Sequence, residues 1–217
     1  MNPILATFAA AALVSGAAVA CAARAPAEES SAFRQGPGLF AIAAQAEAIV
    51  IAEIVRVGAD AFDARIVERL HGDAVEETIS VQKSDFLPTE PRWAPYAAGQ
   101  RLVLFLSKSA DDGGWGSVGK SGEGELPVDA AYVYLTGHFV KGLSVERFQT
   151  IGAEIASQRV TRAEFVDAIE GLDDCFTLDD EPPTQRCDDE TLQAYAARSP
   201  LHLYLARGAG ALSRPRD

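Results

Sequence analysis

The stretch that decides the fold is Gly99–Ser107, which reads Gly-Gln-Arg-Leu-Val-Leu-Phe-Leu-Ser. Its continuous apolar run, Leu102–Leu106, is too short to cross a membrane and includes strong β-formers. A run of this kind, bounded by a glycine and polar residues, is typical of a strand buried on both faces. We therefore expect a central strand here, with the other strands arranged around it.

The segments on either side of this strand have β-periodicity. Ala48–Val57 is largely apolar, whereas Phe62–Leu70 and Thr78–Gln82 alternate apolar and polar residues. Two more candidates follow the central strand, at Trp115–Val118 and Tyr132–Leu135. Short strands without long intervening helices favour a small closed barrel. The expected fold is mainly β with a helical annex: a small closed antiparallel OB-like barrel followed by two or three short helices.

The order of these segments resembles a known group of barrels. The segments are Ala-Glu-Ala-Ile-Val-Ile-Ala-Glu-Ile at residues 46–54, Leu-His-Gly after an amphipathic strand, the Gly-Gln-Arg-Leu-Val-Leu-Phe-Leu strand, and Trp115–Val128. Together they resemble the OB-fold barrels of the netrin-like group, which includes the tissue inhibitors of metalloproteases and many uncharacterised secreted bacterial proteins. The resemblance covers about Leu39–Leu135 and rests on hydrophobic patterns, so it implies a fold more than a function.

The inhibitors of that group chelate the zinc of a protease through a mature N-terminal cysteine. Cys21 could occupy such a position if cleavage follows Ala20. The inhibitors have Cys-x-Cys there, whereas residue 23 of this chain is alanine, and residues 39–140 contain no cysteine. The resemblance therefore implies protease inhibition only as an alternative.

The first 22 residues have the pattern of a secretory signal peptide. Met1–Ala22 contains no charged side chain, and Ala18-Val19-Ala20 fits the small-x-small cleavage rule. Cys21 directly after it resembles a lipobox cysteine, although alanine rather than leucine stands at position 18. We expect an extracytoplasmic location, with a membrane tether only if Cys21 is acylated.

Composition divides the rest of the chain into four parts. Residues 23–38 are rich in Ala, Pro, Glu, Ser and Gly and read as a disordered tether. Residues 39–140 form the barrel, with a short helix or turn at Leu39–Ala46, and 141–207 form the annex. Residues 208–217 read as a flexible tail.

A long loop precedes the central strand. Ser84–Ala98 contains three prolines, and Trp93 and Tyr96 lie among them. Prolines stiffen a loop, and we expect the two aromatic rings to fix it to the barrel. Loops of this length are uncommon unless they are functional. Trp93 and Tyr96 are therefore the predicted contact surface for a partner, and a simple lid over the core is the alternative.

The annex is predicted from helical spacing and cysteines. Ser144–Ser157 has apolar residues at helical spacing, Thr161–Glu164 is a capping box, and Asp189–Ser199 reads as a last short helix. Cys175 and Cys187 predict a disulfide that stabilises the fold by roughly 2–3 kcal/mol. The carboxylates around them leave calcium as an alternative, although the Asp-x-Asp-x-Asp-Gly order is absent.

Several function classes are disfavoured. A net charge of −12 opposes nucleic-acid binding. Gly114–Ser121 fits the G-x-x-x-x-G-K-S pattern, but glycines and a proline follow where a phosphate loop needs a helix. No G-x-S-x-G elbow is present, and nothing marks His71, His138 or His202 as a general base.

These observations favour a non-enzymatic exported binding or accessory protein. We expect no cofactor and no metal, and a protein partner in the envelope or extracellular space. The alternatives are the netrin-like inhibitor described above and an uncharacterised hydrolase that draws carboxylates from separate loops, because sequence spacing does not reveal such pairs.

Overall fold

The computed structural model describes residues 38–72, 76–85, 92–109, 113–119, 122–136, 146–150, 153–178 and 183–212, without the side chains of 146–156 and 210–212. The strands are β1 (Ala48–Val57), β2 (Ala61–His71), β3 (Thr78–Gln82), β4 (Arg101–Lys108), β5 (Trp115–Ser117), β6 (Glu125–Pro127), β7 (Tyr132–Thr136), β8 (Glu146–Thr150), β9 (Ala153–Thr161), β10 (Phe176–Thr177) and β11 (Thr184–Gln185). The helices are α1 (Leu39–Ala43), α2 (Arg162–Cys175), α3 (Asp189–Ala197) and α4 (Pro200–Leu212).

Five strands close into a barrel in the order β1-β2-β3-β5-β4, because β1 pairs with both β2 and β4. The pairings are antiparallel apart from a short parallel contact between β3 and β5. Register shifts along β1 and β2 let this pair bend as a closed sheet requires. The predicted mainly β fold with a small closed barrel is confirmed.

The central strand β4 is buried on both faces, as expected. Leu102, Leu104 and Leu106 point into the barrel and form a barrel core with alternate residues of β1, β2 and β3. Val103 and Phe105 point outward into a second, outer core made with α1, α2, α4 and β7. All five side chains have 0% exposure. The apolar run Leu102–Leu106 is unbroken because the two faces of β4 pack in two different cores.

Strands β8 and β9 pair with each other where the sequence predicted a helix over Ser144–Ser157. Strand β9 pairs with β8 on one side and with β7 on the other, in a three-stranded sheet of order β7-β9-β8. The helix prediction is wrong because an apolar spacing near 3.6 was the only local signal, and pairing with β7 outweighs it. The predicted strand at Tyr132–Leu135 exists, but it belongs to this second sheet.

The C-terminal helices follow the remaining predictions more closely. The Thr161 hydroxyl caps α2 by accepting from the Glu164 amide, and α3 matches the predicted last helix. Helix α4 then continues past Gly208 to Leu212, so the predicted tail begins inside a helix. Cys175 and Cys187 form the predicted disulfide beside the short β10–β11 pair.

Truncation of a leucine in β4 tests whether the barrel core depends on this strand. We expect Leu104→Ala to lower the free energy of unfolding by about 3 kcal/mol, because it leaves a cavity in a core that cannot collapse. Leu203→Ala removes the same atoms from a side chain that is 38% exposed, and should cost less than about 1 kcal/mol. Urea unfolding followed by circular dichroism measures both. Equal losses would contradict the central role of β4.

Candidate functional site

The loop before β4 is fixed to the barrel by Tyr96. Its ring stacks on Phe62 of the barrel core, with centroids 5.0 Å apart and planes inclined by 28°. Its hydroxyl donates to Glu125 at 2.8 Å and accepts from the Ser84 amide at 3.3 Å. Burial, together with the Glu125 carboxylate, raises the pKa of Tyr96 far above its ordinary value. The phenol therefore remains a donor at all physiological pH values.

Glu125, the first residue of β6, is a fully buried carboxylate beneath this loop. Its side chain has 0% exposure, and its Oε1 atom lies within hydrogen-bond distance of three hydroxyl groups. Besides Tyr96 these are Ser84 at 3.0 Å and Ser117 at 3.3 Å, whose hydroxyls are 2.6 Å from each other. One serine hydroxyl donates to the other, so Oε1 accepts from Tyr96 and from one serine, which together occupy its two lone pairs.

Arg92 neutralises this buried charge. Its Nε donates to Glu125 Oε2 at 3.0 Å, and its side chain is only 6% exposed. The guanidinium lies between two rings, 4.6 Å from the Trp93 centroid and 3.9 Å from that of Tyr96. Its Nη1 donates to the Ala94 carbonyl at 2.7 Å. Charge pairing and cation–π contacts therefore hold the loop from the inside.

We call Ser84, Arg92, Trp93, Tyr96, Gln100, Ser117 and Glu125 the Glu125–Arg92 cluster. Two hydrogen-bond donors of this cluster lack an acceptor among the described residues. Arg92 Nη2 and the Trp93 indole Nε1 are buried and have no hydrogen-bond partner among the residues that the structure describes. Gln100 completes the cluster by accepting from Arg92 Nη1 at 3.2 Å and donating to the Pro95 carbonyl at 2.7 Å. A buried donor without an acceptor costs about 1–3 kcal/mol and calls for a reason.

A cleft of about 320 Å³ lies beside Trp93. It is bordered by Glu53 of β1, Gly99 and Arg101 at the entry to β4, and Asp129 in the turn after β6. Gly99 has φ of +86°, and a Cβ there would meet no atom within 4 Å, so the cleft is open at this point. Since charged groups and an indole ring surround an open space, the cleft can bind a polar ligand.

Asp129 is held as an anion at the rim of this cleft. Its carboxylate accepts from the Tyr134 hydroxyl at 2.5 Å and from the amides of Ala131 and Tyr132 at 2.8 Å each. Burial alone would raise the pKa of Asp129, but these hydrogen bonds outweigh it and lower the pKa below its ordinary value. The same contact and burial raise the pKa of Tyr134 to about 12.

A serine, a histidine and an aspartate also meet among the helices. His202 Nδ1 lies 2.9 Å from the Ser199 hydroxyl, and its Nε2 lies 3.1 Å from Asp167 Oδ2. The same hydroxyl accepts from the amides of Leu201 and His202, directly before Pro200 begins α4. Ser199 is therefore the N-cap of α4 and His202 supports it, which explains the contact without catalysis.

The other residues considered from sequence fall into three groups. His71 contacts Asp173 at 2.8 Å, away from the cleft-lining residues. Trp115–Ser117 of the phosphate-loop lookalike form strand β5, as predicted. Cys21 and His138 lie outside the described residues. Within the described ranges, no three His, Cys, Asp or Glu side chains converge as metal ligands, and no helix has the length and apolarity to span a membrane.

The sequence predicted Trp93 and Tyr96 as site residues but gave no sign of Glu125 or Arg92. Glu125 follows Gly122-Glu-Gly in a stretch that reads as a solvated turn. The sequence contained only an indirect signal. Ser84, Arg92 and Tyr96 are polar residues of a proline-rich loop, and their side chains need hydrogen-bond partners if the loop packs on the barrel. Their acceptor lies in another segment of the chain, so no spacing identifies it.

Comparison with known proteins gave no relative. No protein-family model matches the chain, and neither a curated protein nor a solved structure is significantly similar to it. The class that the fold defines is thus a closed five-strand barrel with helices packed against its outer face. The netrin-like resemblance stays a prediction.

Loss of the buried carboxylate tests the Glu125–Arg92 cluster. Glu125→Gln leaves the Arg92 charge buried without its counterion, and we expect the free energy of unfolding to fall by about 3–5 kcal/mol. Glu53→Gln is the control, because Glu53 is 22% exposed and its partners Arg65 and Arg101 are about half exposed. That change should cost about 1 kcal/mol or less. Similar losses in both variants, measured by urea unfolding, would contradict the proposed role of Glu125.

The pH dependence of stability tests the environment of His202. Burial lowers its pKa below the ordinary 6.5, although Asp167 opposes this, with Arg198 and Glu164 also nearby. Below about pH 6.5 the unfolded chain therefore binds a proton at His202 more tightly than the folded protein does. The free energy of unfolding is therefore highest above about pH 6.5 and decreases as the pH falls below that value. His202→Asn should flatten this loss between about pH 7.5 and 5.5. If wild type and variant show the same slope, His202 is not the responsible group.

Proposed function

We propose that this chain is a non-enzymatic binding module whose contact surface is the Trp93 loop and the cleft beside it. One observation carries the proposal: a buried ion pair, Glu125–Arg92, holds the loop from inside and fixes Trp93 at the edge of an open cleft. A pre-organised aromatic residue at a cleft loses little entropy on binding, which is how recognition surfaces gain affinity.

The proposed location is extracytoplasmic. The Cys175–Cys187 disulfide supports it, since such bonds persist in oxidising compartments. Residues 1–37, which include the predicted signal peptide, tether and Cys21, lie outside the described residues. Export, lipidation at Cys21 and an envelope or extracellular protein partner therefore remain part of the proposal.

The two alternative functions have less support. No described contact favours protease inhibition, because its key residue Cys21 lies outside the described ranges. For a hydrolase, the Ser199–His202 contact is the nearest approach to a catalytic arrangement among the described side chains. It is explained by helix capping, and Ser199 does not border the cleft beside Trp93.

Site-specific photo-crosslinking tests the binding function. A benzoylphenylalanine in place of Trp93 should form one discrete crosslinked species when the full chain is illuminated in the envelope or secreted fraction of its own cells. The same group at Val67, which is 45% exposed on β2, is the control and should not form it. Mass spectrometry identifies the product.

Competition decides whether the captured species is specific. Excess wild-type protein should suppress crosslinking at position 93, whereas excess Trp93→Ala protein should not. Crosslinking that is equal at both positions, or that survives competition by the wild type, would overturn the proposal. Circular dichroism of each variant shows whether the fold is intact.

A further inference from the structure

A buried histidine lies where α2, α3 and α4 meet. His202 is in the first turn of α4, and its side chain is only 2% exposed. Its ring packs edge-on against Tyr195 of α3, with centroids 4.7 Å apart, and its Nε2 atom lies 3.1 Å from Asp167 of α2. Tyr195 in turn donates to the Ala168 carbonyl of α2 at 2.7 Å. One titratable ring therefore contacts the elements on both sides of its own helix.

Ser199 satisfies the start of α4. Pro200, the first residue of the helix, has no N–H, and the Leu203 amide donates to the Ser199 carbonyl at 3.0 Å. The amides of Leu201 and His202 have no intrahelical acceptor, and both donate to the Ser199 hydroxyl, at 3.2 and 3.4 Å. These two bonds occupy both lone pairs of the hydroxyl oxygen. The hydroxyl therefore meets His202 Nδ1, 2.9 Å away, as a donor.

This hydrogen-bond pattern requires a neutral imidazole. When Nδ1 accepts from Ser199, the single ring proton is on Nε2, where it faces the Asp167 carboxylate. In the imidazolium both nitrogens are donors, so Nδ1–H needs an acceptor, and the Ser199 oxygen has no lone pair left. Protonation of His202 therefore displaces at least one of the two amide bonds that cap α4. It also leaves the Ser199 hydroxyl proton without its acceptor.

The groups that face His202 do not offset this loss. Burial is the largest influence and holds the pKa of His202 below its ordinary 6.5. Asp167 and Glu164 of α2 favour the imidazolium, but the Asp167 side chain is 56% exposed and also pairs with Arg198 at 3.3 Å. Arg198, at the end of α3, opposes a second positive charge. Tyr195 is uncharged, because burial raises its pKa far above the ordinary value.

We propose that His202 is an acid-sensitive switch, which holds α4 on the outer core when it is neutral and releases the helix when it is protonated. Release starts at the first turn of α4, where Leu201 is fully buried, and extends to Leu205 and Ala209 on the same face. The barrel core includes no described residue of α2, α3 or α4, so the barrel stays closed while α4 opens. The switch does not depend on the proposed binding function.

Amide hydrogen exchange of the full chain, resolved by peptide mass spectrometry at about pH 7.5 and 5.5, tests the switch. After correction for the intrinsic pH dependence of exchange, we expect the opening equilibrium of α4 to rise about three- to tenfold at the lower pH. Tenfold is about the limit for one proton whose pKa in the open state is near 6.5. Amides of β1 and β4 should not change. Ordinary carboxylates stay ionised over this range, so histidines are the side chains that titrate.

Three variants separate His202 from other groups. His202→Asn, whose amide oxygen can accept from Ser199 but takes up no proton, should remove the rise in α4. His71→Asn is the matched control and should keep it, because His71 also contacts α2, through Asp173, but belongs to β2. Ser199→Asp keeps a capping side chain and adds a carboxylate that accepts from Nδ1–H, so acid should then stabilise α4. Circular dichroism at about pH 7.5 shows whether each variant is folded.

Each contrary outcome overturns the inference. An unchanged α4 in the wild type, or an equal rise in α4, β1 and β4, would mean that no local release occurs. A rise that persists in His202→Asn would assign the effect to another group. A rise that persists in Ser199→Asp would exclude competition for the Ser199 hydroxyl as its cause.

A titration of the wild type by NMR keeps the test decisive if a variant does not fold. The signals of His202 should titrate below about pH 6.5, together with the loss of protection in α4. Titration at or above that value, or titration without any change in α4, would also overturn the switch.

Discussion

The ladder between β1 and β4 is the constraint on which the rest of the structure depends. It closes the barrel, and it also gives both strands an outer face that needs cover. Ile49, Ile51, Val103 and Phe105 form that outer face, and α1, α2, α4 and β7 supply the cover. The helices are therefore part of the fold rather than an appendage, because without them the outer faces of β1 and β4 would be exposed to water.

The Glu125–Arg92 cluster has a different role, that of fixing a loop whose described residues, 83–85 and 92–100, form no strand or helix. Backbone N–H and C=O groups in such a loop form few hydrogen bonds with each other. Here contacts of polar side chains fix the loop in place of strand pairing. Burying two charges is favourable only when every neighbouring group fits, so the arrangement tolerates few alternative loop conformations. The same contacts place Trp93 beside the cleft.

Local sequence patterns predicted those structural features that depend on residues close together in the chain. The β4 run, the capping box at Thr161 and the disulfide were all readable, since each signal lies within a few residues or in a cysteine pair. Strands β8 and β9 were missed because the apolar spacing of Ser144–Ser157 fits a helix, although the two strands are neighbours in the chain. The Glu125–Arg92 pair was missed because its members are 33 positions apart. Trp93 and Tyr96 were singled out because prolines and aromatic rings share one loop, and their role as contact residues stays a prediction.

The closing ladder also sets the order of events during synthesis of the chain. Glu53 and Arg101, which face each other across it, are 48 positions apart. The barrel therefore cannot close until β4 has been made, and until then the apolar β1 can pair with β2 on one edge only. Folds rich in such distant pairings have high contact order and fold slowly, with apolar strands exposed in the meantime. For this chain that interval is the period in which its apolar strands are accessible to a chaperone.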